Sequence, residues 1–177
     1  MNLHAVAEEC RGIALQKGFD DCTWENLPTK LVFVVSEMDE ACEAGYEAPM
    51  VLQGALQLEA NRFGEELADV AIRTLVLLET LWPDWSEGRI TARRPTALSK
   101  YDKLEVMLWP LLRYGVKALH CWRMELRKDT QQCLELLLLE LWRLADRLDV
   151  DLYAEIMSKM VKNRSRPLLN GKKRSEG

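Results

Sequence analysis

An all-α fold is predicted by three observations. Nearly every long segment repeats its apolar residues with helical period, no stretch alternates as a half-buried strand does, and glycine or proline punctuates the segment ends. The first segment runs from about Asn2 to Lys17 and stops at Gly18. A loop, FDDCTWENL, follows, and Pro28 opens a second segment that runs to about Ala44 and stops at Gly45. A stretch containing Pro49, Gly54 and Gly64 leads into the third segment, Gly64 to Leu81, which Trp82-Pro83 ends. The polar stretch DWSEGRITARRPTALSK reads as a mobile loop. A fourth segment spans about Lys103 to Lys128, with Pro110 in or near its first turns. The fifth, Asp129 to Leu148, is rich in leucine, with Asp129 or Thr130 as its N-cap. The sixth begins near Asp149 and runs to Asn163. Residues 1–163 therefore read as one helical domain and 164–177 as a basic, flexible tail.

Composition narrows the function classes. A chain of 177 residues is long enough for one domain with a real core, and 48% hydrophobic content argues against disorder. The formal net charge of -4 gives no general pull toward a nucleic-acid polymer. No apolar run reaches bilayer-spanning length, and MNLHAVAEECRG carries acids where a signal peptide carries bases, so a cytoplasmic protein without a membrane partner is expected. The five cysteines form no C-x-x-C pair and fit reduced, mostly buried thiols.

Chemistry concentrates in two acidic pairs, Glu37-x-x-Glu40 on the second segment and Glu66-x-x-Asp69 on the third. A spacing of three puts both carboxylates of a pair on one helical face. Around the third segment Leu67, Ala68, Val70, Ala71, Ile72 and Leu75 cover most of the circumference, and a helix apolar nearly all round is a buried one. Its single acidic stripe must then face a partner, a metal or a cleft. The plain alternative is a solvated stripe in which Arg73 pairs with Asp69 four residues before it. Two pairs on two neighbouring helices favour the metal. Oxygen-only donors select hard cations, Mg²⁺ or Mn²⁺, and polyphosphates are the substrates such sites handle most often.

At these residues the chain resembles the all-α nucleoside triphosphate pyrophosphohydrolases of the MazG-like group. Three blocks carry the resemblance: KGFDDCTWENLPTKLVFVVSEMDEACEAGYE, GEELADVAIRTLVLLE and DVDLYAEIMSKMVKNRSRP. They are similar to the family's Gly-Phe loop with its S-E-x-x-E-A helix, its E-E-x-x-D helix and its closing Lys, Asn and Arg-Pro pattern. They cover about half the chain in the family's order. Against the compact family pattern, about 82–141 looks like an inserted helical pair, and Asn170-Gly171 stands where many relatives have His-Gly.

The resemblance implies a MazG-like helical bundle that hydrolyses the α–β anhydride of a nucleotide, giving a monophosphate and pyrophosphate. Glu37, Glu40, Glu66 and Asp69 become ligands of two or more Mg²⁺ ions, with Mn²⁺ substituting. Glu37 and Glu65 are both candidates for the general base, and Lys159, Asn163 and Arg166 for contacts to phosphate or sugar. Lys30 lies near the Glu37 face and can reach a phosphate. For the base, Trp24 offers a stacking surface, with Phe33 or Trp82 lining the pocket. Phage relatives with extra helices act on purine deoxynucleotides, so the resemblance leans to dGTP or dATP. Pyrimidine substrates (dCTP, dUTP) and modified-nucleotide removal by the same fold are the alternatives.

Two rivals come from other classes. A di-iron carboxylate bundle needs Glu-x-x-His on two helices, and the residues three before His4 and His120 are Met1 and Lys117. A non-catalytic helical interaction module would use the leucine-rich fifth segment as its surface. Leucine at 134, 136–139 and 141 spreads beyond one stripe, which calls for cover on two sides and hence for a homodimer or homotetramer.

Overall fold

Six helices account for the regular structure of the computed structural model, which describes residues 2–47, 60–88 and 104–167. They are α1 (Leu3–Gln16), α2 (Leu27–Glu47), α3 (Ala60–Leu81), α4 (Leu104–Arg123), α5 (Arg127–Arg147) and α6 (Leu152–Ser165). No strand occurs among the described residues, as the periodicity predicts. The expected mobile loop lies largely outside the described residues, as do Pro49, Gly54, Asn170, Gly171 and the tail beyond Pro167.

Local chemistry sets most helix ends. The Asn2 side chain accepts the Ala5 N–H at 3.0 Å and starts α1. Gly18, at φ 86°, supplies the left-handed step that ends it. Asp151 accepts the Ala154 N–H at 3.0 Å and caps α6, so that helix starts three residues later than Asp149. Asp149 itself sits at φ 56° in the connecting turn.

Other ends differ from expectation. α2 runs through Gly45 to Glu47, because one helical glycine costs only about 1 kcal/mol and Ala41 and Ala44 keep that face buried. α3 begins at Ala60, ahead of Gly64, whose bare Cα lets it approach α6: a Cβ there would stand 3.2 Å from Glu155 Cγ. Pro110 lies in the second turn of α4, where it cannot donate to the Val106 carbonyl. α4 stops at Arg123, and Glu125 at φ 60° turns the chain into α5. α5 begins at Arg127, before the expected caps; Thr130 is buried and donates its hydroxyl to the Leu126 carbonyl at 2.9 Å.

The buried residues form one continuous cluster. α3 is its centre and packs against α1, α2, α5 and α6, while α4 packs on α2 and α5. Leu67, Val70, Ala71, Leu75 and Leu78 of α3 are buried, as the near-continuous apolar surface of this segment requires. Most leucines of α5 are covered within the chain: Leu134, Leu137, Leu138, Leu141 and Leu144 are buried against neighbouring helices, and Leu136 and Leu139 are half-buried. Most of their spread therefore reflects packing in the middle of the bundle. The cysteines are free and four of the five are buried, as expected. Burial pushes the Cys10 and Cys22 thiols up to about 12, which makes them inert at neutral pH. No described helix is long and apolar enough to cross a membrane.

Candidate functional site

The acidic stripes of α2 and α3 face each other across one cavity of about 680 Å³. α2 and α3 pack side by side with their apolar arcs toward the core, which turns Glu37 and Glu40 toward Glu66 and Asp69. One carboxylate oxygen from each of Glu37, Glu40 and Glu66 lies within 4.8 Å of the others. Such a group of like charges is unfavourable without positive charge among them.

The protein supplies part of that charge. Arg73 Nε donates to Glu37 Oε1 at 2.6 Å, and Lys159 Nζ reaches Asp69 Oδ2 at 2.5 Å. Arg73 thus bridges α3 to α2 instead of pairing with Asp69 on its own helix. Lys159 is a buried side chain, 6% exposed, and not a solvated end of α6. Burial raises the Asp69 carboxyl above its ordinary range, with the Lys159 hydrogen bond opposing. Burial also raises Glu66; Lys159 opposes, and Asp69, Glu40 and Glu37 add to the rise.

The cavity also gathers Lys30, Phe33, Asn163 and Arg166, all named from the sequence. Lys30 donates to the Asp20 carbonyl at 2.8 Å. Glu65 does not line the cavity. It faces α6, where it is ion-paired to Lys162 with Lys159 at 3.9 Å, and the Lys162 hydrogen bond holds its carboxyl below the usual range.

Trp24 and Trp82 do not line the cavity either. They pack on each other edge to face at 6.3 Å. The Arg127 guanidinium lies 4.7 Å above the Trp24 ring, and Trp122 Nε1 donates to the Trp24 carbonyl at 2.7 Å. Trp24 therefore ties the loop before α2 to the α4–α5 pair.

Sequence reasoning missed the wall opposite the carboxylates. Ile13, Ala14 and Lys17 of α1 face Ile72 and Val76 of α3, and Phe19 stands at the mouth with Phe33. The two phenyl rings are each 45% exposed, available to a planar ligand. The i, i+1, i+4 spacing of Ile13, Ala14 and Lys17 was legible, but one apolar helix face looks like any other until its partner is known. Lys17 also donates to the Arg164 carbonyl at 2.7 Å, which draws the end of α6 over the cavity. No family model, curated protein or solved structure matches the chain.

Proposed function

We propose that the chain is a Mg²⁺-dependent nucleoside triphosphate pyrophosphohydrolase of the MazG-like kind, acting on deoxynucleotides. One observation carries the reading: carboxylates of two helices converge in a cavity that also holds Lys30, Arg73, Lys159 and Arg166. A metal-bridged polyphosphate needs both signs of charge together. The apolar wall of Ile13, Ile72 and Val76 and the exposed Phe19 and Phe33 suit a nucleobase.

The donor set fits a hard divalent cation, all of it carboxylate oxygen. Glu37, Glu40, Glu66 and Asp69 would hold it. When bound, the cation neutralises polyphosphate charge and makes a coordinated water more acidic. Lys30, Lys159 and Arg73 bind phosphate oxygens and orient the chain of phosphates in the cavity, with Arg166 and Lys17 at the rim. Glu37, inside the cavity, takes the proton of the attacking water; Glu65, outside it, does not. The α-phosphorus gains that hydroxyl oxygen as its bond to the bridging oxygen breaks, and pyrophosphate leaves with the electron pair.

The test is a panel of common and modified triphosphates with Mg²⁺, beginning with dGTP and dATP, and product identification by chromatography. Monophosphate and pyrophosphate are expected. Diphosphate and orthophosphate as primary products mean attack at the γ-phosphorus, and they overturn the mechanism.

Acid should weaken the metal's grip. Glu66 and Asp69 have raised folded-state values, so each contributes stability that is fully present below its unfolded value and lost as pH rises through the folded one. A bound cation needs the ionised forms and works against that trend. Thermal stabilisation by Mg²⁺ is therefore expected to be larger at mildly alkaline pH than in mild acid. Equal shifts at both, by scanning fluorimetry, count against these ligands.

A further inference from the structure

Arg73 meets the carboxylate cluster from inside the cavity. Its Nε donates to Glu37 Oε1 at 2.6 Å, and its Nη2 pairs with the same oxygen. The guanidinium carbon stands 5.4 Å from the centroid of the Phe33 ring. The group is thus held between a carboxylate and an aromatic face. Glu37 is buried and belongs to the trio of carboxylates within 4.8 Å of one another.

Arg73 and Lys159 both bring positive charge to the acidic stripe, and they differ in freedom. The Lys159 side chain is 6% exposed and ends on Asp69 where α6 packs on α3. The Arg73 side chain is 36% exposed and lines the open cavity. Lys159 is fixed by the packing around it. Arg73 can turn into the cavity on its own side-chain bonds.

A divalent cation ligated by Glu37 needs a carboxylate that Arg73 holds in the free protein. While Arg73 stays, the cation also stands beside a like charge. Guanidinium and cation therefore oppose each other at Glu37. A polyphosphate removes the conflict, because its oxygens give the planar guanidinium fork a bidentate partner of higher charge.

We propose that Arg73 is an exchangeable counter-ion: it occupies Glu37 in the free protein and releases that carboxylate to the cation when a polyphosphate takes the guanidinium. The Phe33 face keeps the group over the cavity in both positions. Metal and polyphosphate then bind with positive coupling, each raising the affinity for the other. The inference rests on the metal and polyphosphate reading of this cavity, and adds how the two ligands depend on each other.

Binding measurements test it without turnover. Mn²⁺ alone is titrated by electron paramagnetic resonance. A dATP analogue with a methylene group between its α- and β-phosphorus, which cannot be cleaved there, is titrated as its Mg²⁺ complex by calorimetry. Arg73→Met and Arg73→Gln, both neutral, are expected to bind Mn²⁺ about 10-fold tighter than the wild type, and the analogue complex about 10-fold weaker. Arg73→Lys keeps the charge and is expected to bind Mn²⁺ alone as the wild type does. In a Glu37→Gln background the gain for Mn²⁺ should disappear, because the contested ligand is gone. Opposite signs for the two ligands are the signature, since a residue that only supports the fold weakens both when removed. Neutral variants that bind Mn²⁺ no tighter, or the analogue complex no weaker, overturn the exchange while leaving the cavity a metal and nucleotide site. No Mn²⁺ bound by the wild type or by either neutral variant overturns the metal reading together with the proposal.

Discussion

Glu40→Ala is expected to lose turnover by more than about 100-fold, the upper range for residues that merely orient a metal ligand, while the melting temperature without metal does not fall. Glu40 is exposed, so its removal leaves no cavity and no orphaned charge. It relieves repulsion among three carboxylates that approach within 4.8 Å. Loss of activity with an intact fold separates a ligand from a structural residue. Steady-state kinetics and thermal melts on the same preparation decide it, and a fully active Glu40→Ala protein would remove the carboxylate cluster from the mechanism. Asp69→Ala is a poorer probe, because it strands a buried lysine.

Lys159→Met is expected to destabilise the fold by about 3 kcal/mol, the lower end for breaking a buried ion pair. The Lys159 side chain is 6% exposed and that of Asp69 19%, so the carboxylate keeps some water when its partner goes. Glu65 keeps Lys162 as its counter-ion, so the loss falls on Asp69. Without Lys159, Asp69 keeps only the weaker pull of Arg73 against its burial, and its protonation in mild acid should restore part of the stability. Urea denaturation at neutral and mildly acidic pH measures both effects. A loss under about 1 kcal/mol, typical of exposed pairs, would show that the Asp69–Lys159 pair is not what joins α3 to α6.

The part of the site that could be read from the sequence is the part fixed by local geometry. Glu-x-x-Glu and Glu-x-x-Asp place their carboxylates by helical pitch alone, and the apolar surround of α3 said which helix was central. Lys159 and Asn163 share a face for the same reason. What was not legible depends on contacts between distant segments. Arg73 had a good partner in Asp69 four residues away, and only the packing of α2 on α3 gives it Glu37 instead. Trp24 looked like a stacking platform because tryptophan in a loop is a common one; the Arg127 guanidinium, about a hundred residues on, lies over its ring. The leucines of α5 suggested a second subunit because the pattern shows how much of a helix is apolar, not what covers it.

α3 carries Glu66, Asp69 and Arg73 and is also the helix that touches α1, α2, α5 and α6. A segment packed on so many sides has no low-lying local opening, and its amides are released only when the whole bundle lets go. The acidic half of the cavity thus behaves as one cooperative unit with the fold. The α1 wall, with its half-buried Ala14 and Lys17, and the Phe19 loop meet fewer neighbours. On the proposed function, ligand entry and release are expected to be motions of that wall and loop, at a rate set independently of global stability, with the carboxylate geometry held constant.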